Sequence, residues 1–261
     1  MIKKLIGRIL NILLLKNQKI LQKYGFIEER FPSDMEKDFK VLFNKCKDYT
    51  FTSKARMFSL YDAIKYIVNN KIPGDIVECG VWKGGSMMLC AYTLRKLNDF
   101  DRKIYLYDTY EGMSKPISRD ITTDGRKNAL NMWTREKKKS RKIFYAPLSE
   151  VKKNLYSTSY PKKKLIFVKG KVEDTIPDKI PNKISILRLD TDLFESTYHE
   201  LVHLYPRLSN NGVLIIDDYG YWKGAKDATD LYLQENSIKI FLSRIDATGR
   251  LIIKTTENKS K

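Results

Sequence analysis

The chain has 261 residues, 42% of them hydrophobic and 11% aromatic, and a formal net charge of +18 from 49 Lys/Arg against 31 Asp/Glu. That length buries a full core as one domain with additions, and this apolar content excludes a wholly disordered chain. The three cysteines, Cys46, Cys79 and Cys90, have no CxxC spacing. They exclude a disulfide framework and a cysteine zinc site, and they fit a reducing, cytoplasmic setting.

Residues 1–50 read as a basic helical extension. Its first 16 residues, MIKKLIGRILNILLLK, are too short for a bilayer-spanning helix of roughly 20 residues. No small-residue cleavage site follows. The expectation is an interfacial amphipathic helix, with peripheral contact at the inner membrane face, or a helix that docks on a partner subunit. A homodimer or higher homo-oligomer built through it is the expected assembly. Residues 51–261 form the main domain. Met57, Leu60, Tyr61, Ile64, Ile67 and Val68 give 54–70 one apolar helical face. A Pro-Gly turn at 72–75 leads into a buried strand at 76–79, then a glycine-rich turn and a helix at 86–97. The next strand spans 103–107. Residues 112–142 lack a sustained apolar period and predict a loop with short helices. A helix over 148–155 and a strand over 165–169 follow, then strands at 184–189 and 213–216 with a helix at 196–208 between them. A helix at 224–235 and strands at 238–244 and 250–255 complete the pattern. Strands alternate with helices, so the fold class is α/β, Rossmann-like, with a largely parallel sheet.

The charge is concentrated. Residues 126–164 hold 13 Lys/Arg against 2 Asp/Glu, a net of +11. A solvated surface, a basic lid or a patch for an anionic partner all fit such a block. Few aromatics interleave with it, so nucleic acid is not an expected partner. His199 and His203 are i and i+4 on a predicted helix, and without a third ligand nearby they read as ordinary helix residues.

The most informative residues lie at predicted strand tips. Leu187-Arg188-Leu189-Asp190-Thr191-Asp192 and Ile215-Ile216-Asp217-Asp218-Tyr219 each end an apolar strand in carboxylates. In an open α/β sheet, ligands bind just outside such tips. Clustered carboxylates there suit a hard cation, Mg²⁺ or Ca²⁺. The first strand and turn read Val77-Glu78-Cys79-Gly80-Val81-Trp82-Lys83-Gly84-Gly85-Ser86. Its glycines let the backbone pass close to a ligand at a helix N-terminus. Trp82 stands where the dinucleotide fingerprint needs its second glycine, which disfavours a pyrophosphate and leaves room for a phosphate-free cofactor such as S-adenosylmethionine. Asp108, 28 positions after Gly80, is placed to meet ribose hydroxyls. Gly170 and Asp174 follow the third strand, whose tip borders an adenine site; Asp174 also reads as a helix cap.

Taken together, these motifs resemble the macrocin O-methyltransferase family. The resemblance rests on 74–85 (GDIVECGVWKGG), 107–113 (YDTYEGM), 187–197 (LRLDTDLFEST), 204–208 (LYPRL) and 212–220 (GVLIIDDYG), and spans about residues 52–254. It implies a class I methyltransferase fold with S-adenosyl-L-methionine as methyl donor and a Mg²⁺ site. The cofactor-binding set it implies is Glu78, Gly80, Val81, Ser86, Asp108, Thr109, Gly170 and Asp174. Asp190, Asp217 and Asp218 are the implied metal ligands, with Asp190 also the general base. Asp192 reads as a structural cap outside the ligand set. The segment about 112–145 is the implied lid. The expected acceptor is a hydroxyl of a sugar or glycosylated small molecule, anionic if the basic lid faces it. The alternatives are a catechol-type O-methyltransferase acting on an aromatic diol, and a non-catalytic nucleotide- or membrane-binding partner.

Overall fold

The computed structural model describes residues 31–255. The chain divides into two compact units, one ending at Lys40 and the other beginning at Val41. The expected amphipathic helix at 1–16, and the assembly and membrane contact assigned to it, lie outside the described residues. No helix among the described residues is long and apolar enough to cross a membrane.

Helix α1 (Lys37–Cys46) leads to α2 (Lys54–Asn69), whose N-cap Ser53 accepts the Arg56 backbone N–H at 3.2 Å. Such a cap satisfies one of the donors that a first helical turn leaves free. Alternating elements follow: β1 (Asp75–Cys79), α3 (Gly85–Lys96), β2 (Ile104–Asp108), α4 (Ala129–Lys138), α5 (Leu148–Ser157), β3 (Leu165–Lys169) and the short α6 (Val172–Thr175). Then come β4 (Ile184–Leu189), α7 (Phe194–Leu204), β5 (Leu208–Ile216), α8 (Lys223–Glu235), β6 (Ser243–Arg244) and β7 (Arg250–Ile253). The seven-stranded sheet has the order β3-β2-β1-β4-β5-β7-β6. β1 to β5 are parallel, and β7 joins β5 antiparallel. The expected α/β architecture with a largely parallel sheet is present.

The order runs outward to both sides from β1 and β4, so the crevice between their C-terminal tips is where such a sheet binds ligands. The central strands are buried on both faces, as parallel strands covered by helices must be. Val77, Cys79, Leu187, Leu189, Leu214 and Ile216 share one face and pack with Leu201 and Leu204 of α7. Period-two alternation therefore sends Glu78 and Arg188 to the opposite face. Register sets Glu78 directly beside Arg188.

Three elements differ from expectation. α7 stops at Leu204, and Tyr205–Arg207 forms a 3-10 turn around Pro206, because proline cannot continue the helix's hydrogen bonding. β5 starts earlier than its apolar run, at Leu208. The expected strand over 238–244 shrinks to Ser243–Arg244, while Ile238, Ile240 and Leu242 instead pack on the core. Apolar side chains there cover the sheet without joining it.

Candidate active site

A cleft of about 220 Å³ opens at the tips of β1, β2, β4 and β5. The backbone stitches these tips together. Gly80 N–H donates to the Tyr107 carbonyl, Asp190 N–H to that of Cys79 and Asp217 N–H to that of Leu189, each at 2.9 Å. Gly80 has a φ of +83°, and a Cβ built on it would lie 2.0 Å from the Asp190 carbonyl oxygen. Only glycine allows the β1 turn to pass this close to the β4 tip. Gly80→Ala is therefore expected to lower stability by about 2 kcal/mol or more through left-handed strain and displacement of Asp190. Urea denaturation measures it, and wild-type stability would show that the two tips do not need to touch.

Arg188 is the centre of the site. It is 1% exposed, and its guanidinium serves four partners from four segments. Nη1 donates to Glu78 Oε1 at 2.6 Å and to Asp190 Oδ2 at 2.7 Å; Nη2 donates to Thr52 Oγ1 at 2.7 Å and to Asp217 Oδ1 at 2.5 Å. The second oxygen of Asp217 pairs with Arg56. Arg56 also binds Asp246 at 3.0 Å, so the β6–β7 turn is anchored to the N-terminus of α2. Burial drives the Glu78 carboxyl up to about 8, with Arg188 pulling the other way. Asp108 caps the glycine turn: Oδ2 accepts the N–H groups of Val81 and Trp82 at 2.7 and 3.0 Å, and Oδ1 accepts that of Tyr110 at 2.7 Å.

On the other side of Arg188, carboxylate oxygens of Asp190, Asp192 and Asp218 lie within 4.8 Å of one another. Burial, then the charge of Asp190, pushes the Asp192 carboxyl up to about 7. Burial, then Asp192 and Asp190, raises Asp218 further. Three like charges this close cannot all ionise freely without a cation. Asp218 Oδ2 is buried with no hydrogen-bond partner, as are Oε2 of Glu78, Oε2 of Glu173 and Oε1 of Glu200. Three of those four residues line the cleft. Unsatisfied buried carboxylate oxygens are costly unless a ligand completes them. Seven carboxylates line the cleft against Arg56, Arg188 and Lys171. The interior is thus acidic in a chain that is basic overall.

A model of the macrocin-O-methyltransferase (TylF) family matches residues 22–254. The chain belongs to this family. It is 30% identical over 201 residues to demethyldecarbamoylnovobiocin O-methyltransferase of Streptomyces niveus, covering 77% of this chain and 74% of that protein. It is 31% identical over 201 residues, with the same coverage, to 8-demethyl-8-(2,3-dimethoxy-alpha-L-rhamnosyl)-tetracenomycin-C 4'-O-methyltransferase of Streptomyces olivaceus. Among solved structures, that of the O-methyltransferase NovP has a TM-score of 0.69 at 30% identity, covering 79% of this chain and 82% of that one. The protein is therefore an O-methyltransferase with the Rossmann-like fold of its class, and S-adenosyl-L-methionine is the methyl donor that this class uses.

In this macrocin-O-methyltransferase family member, most residues singled out from sequence line one cleft: Glu78, Gly80, Val81, Ser86, Asp108, Thr109, Gly170, Asp190, Asp217 and Asp218. Three placements differ from expectation. Asp174 is exposed within α6, neither in the cleft nor at the helix cap; the preceding residue, Glu173, lines the cleft instead. Asp217 stands outside the carboxylate triplet, with its two oxygens paired to Arg56 and Arg188. Asp192, expected as a cap, stands in that triplet. Its left-handed backbone, with a φ of +67°, turns the chain so that positions 190 and 192 reach the same point.

Sequence reasoning missed Arg188, Arg56, Thr52 and the aromatic mouth. Arg188 carried a signal, a charge inside an apolar strand. Phe51 stacks on Trp82 with ring centres 4.0 Å apart, and Phe144 meets Phe51 edge-on at 5.6 Å. These rings come from three separate segments, so no local pattern links them. The segment over 112–145 carries the short helix α4 within a loop, as expected. α4 is capped by Asn128, and buried Asp120 accepts the N–H groups of Ile117 and Phe194 at 2.8 and 2.9 Å.

Proposed function

We propose that the protein transfers a methyl group from S-adenosyl-L-methionine to a hydroxyl of a sugar or glycosylated small molecule, with Asp190 as general base and a Mg²⁺ ion at Asp190, Asp192 and Asp218. One observation carries this reading. The cleft crowds three carboxylates within 4.8 Å, and Asp218 in that group has a buried oxygen without a partner. Oxygen-only donors of this kind suit Mg²⁺, which retains open positions for other oxygens. The acidic cleft also suits a donor carrying sulfonium and ammonium charges. The sugar acceptor is drawn from the family relatives.

A sugar hydroxyl is a weak nucleophile near neutral pH. When bound, Mg²⁺ polarises an acceptor oxygen as a Lewis acid, and the sulfonium supplies the methyl group. The protein's residues do the remaining work. Asp190, with its side chain 28% exposed, accepts the hydroxyl proton on the carboxylate oxygen not held by Arg188. Arg188 fixes the direction of that carboxylate. Glu78 and Asp108 shape the donor's end of the cleft. Phe51, Trp82 and Phe144 narrow its mouth against water. Holding oxygen and methyl carbon in line contributes about 7–11 kcal/mol, more than general base catalysis at about 10²–10⁴-fold.

Calorimetry with S-adenosylmethionine, with and without Mg²⁺, followed by labelled methyl transfer to sugars and catechols, tests the reading. Transfer to catechols alone would favour the aromatic-diol alternative. Thermal shift tests the metal set. The carboxyls of Asp192 and Asp218 are raised, so the folded state holds extra protons and loses stability as pH rises from about 4 to 7. A cation replacing those protons offsets that loss, and metal binding strengthens as ligands deprotonate. The Mg²⁺-induced rise in Tm should therefore be larger at pH 8 than at pH 5, and much smaller at the same Mg²⁺ concentration in Asp218→Asn. A shift independent of pH, or undiminished in the variant, counts against these ligands.

A further inference from the structure

A second groove, of about 300 Å³, lies beside the acidic cleft and shares Gly112 and Met113 with it. Its other walls are Glu111, Trp133, Lys137 and the returning segment 140–143. The lid builds it: the Trp133 indole N–H donates to the Met113 carbonyl at 3.1 Å, and Met113 N–H donates to that of Ile143 at 2.9 Å. Gly112, with a φ of +99°, is needed here, because a Cβ would lie 2.8 Å from the Ile143 carbonyl oxygen.

The chemistry of this groove is opposite to that of the cleft. Lys137, Arg141 and Lys142 line it, and Glu111 is its one carboxylate. Glu111 is already held by Lys169 at 2.8 Å. The ammonium groups of Lys137 and Lys142 rest on aromatic faces, 4.6 Å from the ring centres of Trp133 and Tyr145 respectively. Glu136 binds Arg135 at 3.1 Å and reaches Arg141 only at 3.9 Å. Three cations therefore line a groove that shares two wall residues with the cleft.

We propose that this groove is an acceptor subsite for a phosphate or diphosphate carried by the sugar whose hydroxyl sits at Asp190. Arg presents a planar fork that matches phosphate oxygens, and Lys adds mobile point charge. The size suits a compact anion and one attached group, not a polymer. The shared rim at Gly112 and Met113 lets one ligand occupy both sites. Such an acceptor is a nucleotide-linked or a lipid-diphosphate-linked sugar. The proposal rests on the sugar acceptor reading above.

The test is calorimetry on the full chain with inorganic pyrophosphate and with uridine diphosphate at low salt. The groove variant Lys137→Gln/Arg141→Gln/Lys142→Gln is compared with the control Lys162→Gln/Lys163→Gln, which removes exposed lysines outside the groove. All five side chains are exposed, so both variants should fold. Pyrophosphate should bind the wild type and the control alike, and the groove variant about 10- to 100-fold more weakly, the range for lost hydrogen bonds to charged groups. Tighter binding of uridine diphosphate than of pyrophosphate assigns the anion to a nucleotide sugar; equal binding assigns it to a lipid-linked one. No pyrophosphate binding by the wild type, or equal loss in the control, overturns the subsite. S-adenosylmethionine binding and methyl transfer to neutral sugars are read on the same samples. If transfer persists without pyrophosphate binding, only the subsite fails; if no sugar is methylated, the acceptor reading fails first.

Discussion

Asp190→Asn is expected to reduce turnover by about 10²–10⁴-fold or more, the usual contribution of general base catalysis, while S-adenosylmethionine still binds. The substitution keeps the shape of the side chain and one acceptor oxygen for Arg188. It removes the charge that takes the hydroxyl proton, together with one metal ligand. These two losses separate experimentally. Asp218→Asn touches the metal set alone, so excess Mg²⁺ should recover much of its activity. Asp190→Asn should not recover at any Mg²⁺ concentration. Single-turnover rates at saturating donor give the comparison. Near-wild-type turnover of Asp190→Asn at high Mg²⁺ would falsify the base assignment and leave Asp190 as a ligand only.

The fold was legible in the sequence because each central strand is a short β-branched run ending in a turn, and long amphipathic helices alternate with them. Element edges were less legible where packing overrides pattern. Residues 238–242 have strand composition, yet they cover the core from outside the sheet. The cleft was legible because its acidic residues sit at strand tips, a position that topology brings together. Which carboxylates group together was not. Asp217 and Asp218 are adjacent in sequence and face different partners, Asp217 the two arginines and Asp218 the aspartate triplet. That choice depends on Arg56, which is 161 residues away in the chain from Asp217. Asp192 joined the triplet through a left-handed residue that spacing alone does not reveal. Asp174 shows the converse: a carboxylate at the right spacing can point to solvent on a helix of four residues.

Arg188→Met is expected to destabilise the protein by about 3–5 kcal/mol, the range for breaking a buried ion pair from one side. The methionine fills much of the volume, so the loss is chiefly electrostatic. Glu78 would lose the hydrogen bond to its Oε1, and its Oε2 already has no partner. Asp217 keeps Arg56, and Asp190 is partly exposed, so Glu78 bears most of the cost. This reasoning predicts non-additivity. Above pH 8, where Glu78 is ionised beside Arg188, a Glu78→Gln background removes the orphaned carboxylate, and Arg188→Met should cost markedly less there, a coupling that contacting residues can show at about 0.5–3 kcal/mol. Arg188→Lys should fall between, because a single ammonium cannot span four partners. Urea denaturation of the two single variants and the double variant measures the cycle. Strict additivity would mean that Arg188 acts through packing, and the register that sets Glu78 beside it on β1 and β4 would then have no electrostatic purpose. A coupled result would instead make Arg188 the residue that lets one apolar sheet carry so many carboxylates to a single point.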